Sequence, residues 1–178
     1  MLTRGTVAPP LAGLDHTGAP LDLGGRTYLL AFLRPVESPL GRLALLELDQ
    51  ARADLGALGC EVVAVVPSTP EQLRAFTQAR GLKVRALPDP EGATGRAFQM
   101  GRDPLGLMTL RGLLDHDVSL RRTLRALRLG GGLRHLAQPA LPAELLIDAT
   151  DRIRWLRLGC SRLAGPDLDA VRQALRPA

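Results

Sequence analysis

Apolar and polar positions along this chain fall into short blocks whose period switches from strand-like to helix-like and back. Residues 28–33, YLLAFL, form an apolar run too short for a helix and suited to a strand buried on both faces. A proline-containing turn follows. Leu40, Leu43, Leu46 and Leu48, with Ala44 and Leu45 between them, then recur at close to helical spacing, which predicts a helix starting at Pro39 with one face turned inward. Residues 60–67, CEVVAVVP, read as a second strand, and their unbroken valine and alanine content predicts a central parallel strand covered on both faces. In residues 68–81 a helix carries its own boundary signals. Ser68 or Thr69 can accept amide hydrogen bonds, Pro70 suits the first turn, Glu71 suits the positive end and Gly81 closes it. Residues 82–92 supply a short strand and turn, and residues 92–100 another short helix. This alternation means right-handed βαβ units and a mostly parallel central sheet.

The flanks read differently. In residues 5–24, short apolar pieces are separated by turn signals, and LAGLDHTGAPLDL reads as a β-hairpin with an exposed polar turn at residues 16–18. Residues 101–140 read as helical pieces broken at Pro104, Gly112 and the glycine run 130–132. The best-formed piece sets Leu120, Leu124, Leu127 and Leu129 toward one face while Arg121, Arg122, Arg125 and Arg128 fall mostly elsewhere, which predicts a cap helix with packed leucines and solvated arginines. After it, residues 143–147 and 153–158 form two strands around a tight turn at 148–152, and Gly165, Pro166 and Asp167 open a last helix carrying Leu168, Val171 and Leu175. One domain over residues 1–178 is expected, with 1–25 as a hairpin extension and 101–140 as a helical insertion.

Composition narrows the classes. Only five residues are aromatic, so leucine, valine and alanine must fill the core. The net charge of +5 comes almost wholly from arginine, Lys83 being the sole lysine, and is weak support for an acidic partner. No aromatic residues interleave with the arginines of the insertion, which argues against nucleic acid, and the solvated-cap reading argues against a membrane surface. Residues 1–14 lack the apolar core of a secretory leader and no later run approaches a transmembrane span, so a cytoplasmic protein is expected. Cys60 and Cys160 are too few for a disulfide framework.

Candidate chemistry gathers at residues 34–42, where a strand hands over to a helix whose N-terminal amides favour negative charge. The segment FLRPVESPLGR resembles the peroxiredoxin-like AhpC/TSA group of the thioredoxin-fold superfamily, whose pattern after the first core strand is Phe-Leu-Arg, three residues, then Cys-Pro-x-Cys-Arg. Phe32, Leu33, Arg34, Pro39 and Arg42 match that pattern. Ser38 and Gly41 stand where its two cysteines belong. The resemblance extends to the opening hairpin and to the Leu-Pro, strand, Ile-Asp, turn, Ile segment near the C-terminus, with Ala149, Thr150 and Asp151 in place of the usual turn glycine. It implies a thioredoxin-like α/β fold with a central mixed sheet, an N-terminal β-hairpin and a helical insertion. It also implies an active-site set of Ser38, Gly41 and Pro142, degenerate at the first two, with the Leu141–Pro142 bond expected cis.

A serine hydroxyl cannot replace a peroxidatic thiolate, because it is far less acidic and has no sulfenic-acid cycle. Ser38 is therefore read as the N-cap of the Pro39 helix. A hydrolytic role would need a base, and His16, His116, His135 and Glu37 sit in no recognisable pattern around it. Cys60 reads as a buried small hydrophobe, and Cys160, beside Arg162, as the better candidate redox thiol. Arg34 and Arg42 flank the turn and could leave an electropositive pocket for a small anion, or could be solvated surface arginines. Two functions follow: an AhpC/TSA-type antioxidant oxidoreductase with activity weakened, moved to Cys160 or lost, or a non-catalytic module binding a protein partner or a small anion. No cofactor and no metal are expected, and a homodimer is compatible with either.

Overall fold

The computed structural model describes residues 2–100, 116–131, 142–158 and 165–176. Its elements run β1 (Thr27–Phe32), α1 (Pro39–Ala57), β2 (Cys60–Val66), α2 (Pro70–Arg80), β3 (Arg85–Pro88), α3 (Ala93–Ala97), α4 (His116–Leu127), β4 (Ala143–Ile147), β5 (Ile153–Leu158) and α5 (Leu168–Leu175). The strands form one sheet in the order β3-β2-β1-β4-β5. β1 pairs with β2 and β2 with β3 in parallel, while β4 pairs antiparallel with both β1 and β5. The sheet is thus mixed, half parallel and half antiparallel, because the chain returns through the β4–β5 hairpin rather than through another crossover helix. This is the thioredoxin-like α/β arrangement, and it corrects the mostly parallel sheet that strand–helix alternation alone suggested.

Alternation along β1 decides the layering. Leu29 and Ala31 face one way, Tyr28, Leu30 and Phe32 the other, and all five are buried. On the first face lie Leu45, Leu48 and Leu55 of α1, Leu73 of α2 and Val171 of α5. On the second lie Leu2, Ala8, Leu21 and Leu23 of the N-terminal segment, with Phe98 against Phe32 at a ring separation of 5.4 Å. The strand therefore needs apolar residues at every position, which is why its sequence shows no period of two.

The helix at residues 70–80 is closed as its sequence predicted. Thr69 Oγ1 accepts from the Gln72 amide and the Gln72 side chain accepts from the Thr69 amide, a capping box, while Gly81 ends the helix at φ 61°. Ser68, the other candidate cap, turns back toward the β1–α1 connection.

Two aspartates shape the turns by the same device. Asp15 Oδ1 accepts from the Thr17 amide, the Thr17 hydroxyl and the Ala19 amide, and Asp148 Oδ1 accepts from the Thr150 amide, the Thr150 hydroxyl and the Arg152 amide. In the second turn Asp151 takes the left-handed conformation, φ 58°, that a glycine would take at no steric cost. The N-terminal hairpin is reduced to a single bridge between Leu14 and Pro20, with the Asp15 amide on the Ala19 carbonyl and the Leu21 amide on the Gly13 carbonyl. His16, expected to be exposed, is buried. Its amide donates to the Ala86 carbonyl of β3 and its own carbonyl accepts from Arg74 Nε, so the turn folds down over the sheet edge instead of projecting from it.

Of residues 101–140, the described part is 116–131. α4 lies against α1, with Leu129 inward as predicted but Leu124 and Leu127 turned away. Ala126 packs with Leu40 and Leu43, joined by Leu129, while Leu124 and Leu127 are 52% and 43% exposed. Arg122 reaches Glu47 of α1 with Nη1 at 2.5 and 2.6 Å from the two carboxylate oxygens. A small alanine allows close helix approach and a guanidinium finds an acid, so charge pairing and size outweigh the leucine stripe. Arg121, Arg125 and Arg128 are exposed as expected. No helix among the described residues is long and apolar enough to cross a membrane.

Candidate functional site

The connection from β1 to α1 is pinned from below by the end of β2. The Leu33 amide donates to the Val65 carbonyl at 2.9 Å, the Val36 amide to Ser68 Oγ at 3.0 Å, and the Ser68 hydroxyl to Glu37 Oε2 at 2.6 Å. Within the turn the Ser38 amide donates to the Pro35 carbonyl. Glu37, the carboxylate nearest to Ser38 in sequence, is thus engaged by Ser68.

Ser38 is the N-cap residue of α1 by position, with extended backbone angles, but its side chain makes no capping bond. It is fully buried, and its Oγ has no hydrogen-bond partner among the described residues. Hydrolysis through Ser38 therefore finds no base there. The imidazole of His16 lies with β3 and α2, and burial lowers its pKa. His135 and the side chain of His116 fall outside the described residues.

Gly41 shows the tightest fit in the turn. A Cβ placed on it would lie 2.2 Å from the Pro35 carbonyl oxygen and 2.6 Å from the Arg34 carbonyl oxygen. Those neighbours are backbone, so no side-chain rotation relieves the clash. No residue with a side chain, cysteine included, fits this position with the turn as it stands.

Arg42 is partly buried and fastens three parts together. Its Nε donates to the Val36 carbonyl at 2.7 Å, its Nη1 donates to the Leu129 carbonyl at 2.9 Å, and its guanidinium lies 5.4 Å from the centre of the Phe76 ring. Arg34 is buried beneath the turn, 4% exposed. Neither is a solvated surface arginine. The Leu129 contact brings the chain just after α4 over the turn. Gly131, at φ +119°, lies so close that a Cβ there would be 2.6 Å from the Glu37 carbonyl oxygen. Pro142 is buried just before β4, whose Ala143 pairs with Phe32, so it lies at the same end of the sheet as Ser38. The Leu141–Pro142 bond involves Leu141 and lies outside the described residues, as does Cys160.

Cys60 lies elsewhere. It begins β2, at the other end of a seven-residue strand, and at about 3.3 Å per residue this separates it from the Ser38 turn by about 20 Å. It is buried, and that burial pushes its thiol from 9.0 up to about 11. Burial likewise pushes the Tyr28 phenol from 10.0 up to about 12. Both groups are held protonated by the fold and ionise more readily once the chain unfolds. Their contribution to stability is complete below about pH 9 and is lost as pH rises through 11 and 12. The urea midpoint is expected to fall between about pH 8 and about pH 10.5, and Cys60 is expected to resist thiol reagents until the chain unfolds. A flat midpoint over that range would show that burial does not hold these protons. Among the described residues no group of histidine, cysteine and carboxylate side chains could hold a metal.

A family model for the AhpC/TSA family matches residues 5–156. The chain belongs to the AhpC/TSA family. The match spans the opening hairpin, the Ser38 turn and most of the β4–β5 hairpin, the segments that carried the resemblance. No curated protein matches the chain in sequence. Solved structures similar to this AhpC/TSA protein include peroxidoxin BcpB from Mycobacterium tuberculosis, 15% identical with a TM-score of 0.66 over 98% of this chain and 95% of that one. Xanthomonas campestris peroxiredoxin Q is 14% identical with a TM-score of 0.68 over 98% and 95%. A thiol:disulfide interchange protein of the thioredoxin family from Chlorobium tepidum is 20% identical with a TM-score of 0.58 over 99% and 100%. At these identities the likeness establishes the thioredoxin-like fold.

Sequence reasoning placed Arg34, Ser38, Gly41, Arg42 and Pro142 at one end of the sheet, and the structure brings them there together. It missed Ser68 and Gly131. The signal for Ser68 was its position right after β2, beside the first core strand; Gly131 carried none beyond belonging to a glycine run.

Proposed function

We propose that this AhpC/TSA protein no longer reduces peroxide at the family's turn and acts through binding instead of thiol turnover. The observation that carries this reading is the state of residue 38. The side chain in the peroxidatic position is a hydroxyl, fully buried and beneath a turn on which Gly131 sits closely. Attack on a peroxide needs a thiolate that can meet the oxidant and later a reductant. The closed fit around Gly41 supports the same reading, since a second sulfur has no room there. The thiol at Cys60 is buried, protonated at neutral pH and far from the turn. What the turn retains is the head of α1, a setting that favours a small anion or the acidic group of a protein partner.

Peroxide consumption with a dithiol reductant tests this. The native protein, Cys60→Ser and Cys160→Ser are expected to match the buffer blank, and Ser38→Cys is expected to gain little turnover, because its thiol would be sealed as the hydroxyl is. That variant is expected to fold, because a thiol tolerates the absence of a hydrogen-bond partner better than the orphaned hydroxyl it replaces. Native turnover that disappears in Cys160→Ser would overturn the proposal and make the protein an oxidoreductase working through a relocated sulfur.

A further inference from the structure

At the end of the sheet away from Ser38, the N-terminal ends of β1, β2 and β3 open onto a cleft of about 690 Å³. Its size is in the range typical of small-molecule sites. Among the described residues four cations line it, Arg26, Arg52, Lys83 and Arg85, against a single lining carboxylate, Glu61. Glu61 bridges two of the four, with Oε2 3.0 Å from Arg26 Nη1 and Oε1 2.9 Å from Arg85 Nη1. Arg85 is also tied to Asp15 and to the Pro20 carbonyl, so it is a fixed wall of the cleft.

The other two cations are left over. Arg52 and Lys83 have no ion-pair partner among the described residues, and Arg52 Nε is buried without a hydrogen-bond partner. Asp49 holds the Lys83 and Val84 amides at 2.7 and 2.8 Å but does not line the cleft. Arg52 and Lys83 line the same cleft, and the planar fork of arginine matches carboxylate and phosphate oxygens.

We propose that this cleft binds a compact, multiply charged organic anion, phosphate-bearing or polycarboxylate, between Arg52 and Lys83 with Arg26 at the rim. At least two negative charges are needed to answer the two unpaired cations. Among the described residues no aromatic side chain lines the cleft, so a nucleobase would find no ring there to stack on and charge and shape carry the recognition. The site lies across the sheet from the β1–α1 turn, and its success or failure is independent of what residue 38 does.

Calorimetric titration of the full chain with inorganic tripolyphosphate and, separately, with citrate, at constant ionic strength, tests the site. The native protein is expected to bind at least one probe with one-to-one stoichiometry. The double variant Arg52→Gln, Lys83→Gln is expected to bind at least tenfold more weakly while melting at the native temperature, and Arg121→Gln on α4 is expected to bind as the native protein does. Tripolyphosphate alone would fix the class as phosphate-bearing, and both probes would mean that charge alone is read. Binding of neither probe, or equal binding by the native protein and the double variant, overturns the proposal.

Discussion

Gly41→Ala is expected to destabilise the protein by about 3 kcal/mol, at the upper end of what added atoms cost in a packed interior. The added Cβ would sit 2.2 and 2.6 Å from two consecutive carbonyl oxygens, so the turn itself must move. Moving it strains the Ser38 amide bond to Pro35 and the Val36 amide bond to Ser68 together. For a chain of this size the melting temperature should drop by roughly 6 to 12 °C. Gly56→Ala is the matched control in the same helix. Its Cβ would meet nothing within 4 Å, and alanine's better helix propensity should stabilise by up to about 1 kcal/mol. Equal melting of Gly41→Ala and the native protein would show that the turn has slack and that a cysteine could return. Under the expected result, loss of the second cysteine is built into the backbone.

The second large effect lies in the β4–β5 hairpin. Glu144 is 2% exposed, and its carboxylate takes Arg157 Nη2 at 2.6 Å and Nε at 2.8 Å, with the Asp167 amide at 3.3 Å. Arg157 also donates to the Gly165 carbonyl. Asp167 in turn caps α5 by accepting from the Ala170 amide, and α5 seats Val171 in the core. Glu144→Ala leaves a largely enclosed guanidinium without its acid, which costs about 3 to 5 kcal/mol for a buried pair. Arg157 keeps 26% of its side chain exposed, so water softens the loss and about 3 kcal/mol is the expected value. Urea unfolding should show the midpoint falling at unchanged slope, and the amides of α5 should exchange faster than those of β1. Glu144→Gln, which keeps one acceptor, should lose roughly half as much. A midpoint at the native value in Glu144→Ala would mean that the pair contributes no net stability.

Most of the fold was legible because its signals are local. The Pro39 start of α1, the capping box at Thr69 and the Asp148 turn depend on residues within a few positions of one another. The apolar blocks of β1 and β2 announce burial on both faces by lacking alternation. What the sequence did not disclose depends on partners far along the chain. His16 looks like any polar turn residue, and only the edge of β3, seventy residues on, buries it. The leucine stripe of α4 suggested the inward face, but Glu47 on α1 captures Arg122 and rolls the helix toward Ala126. At the site, the sequence shows directly that Ser38 and Gly41 carry no sulfur. The sealed state of Ser38 and the crowding at Gly41 were not legible there, since neither the Pro35 carbonyl nor Gly131 advertises where it will lie.

The place of β1 in the sheet has a consequence for how the chain comes off the ribosome. One edge of β1 meets β2 soon after synthesis, since Phe32 pairs with Val65. Its other edge pairs with β4, Phe32 opposite Ala143, which emerges roughly 110 residues later. At translation rates of roughly 5 to 20 residues per second, the roughly 80 residues from the end of β2 to the end of β4 leave the nascent βαβ half with an open apolar edge for about 4 to 16 seconds. During that interval TYLLAF is a bare pairing surface in a crowded cell, and the tempo of elongation, or a chaperone standing in for β4, governs how much of the protein reaches its native topology.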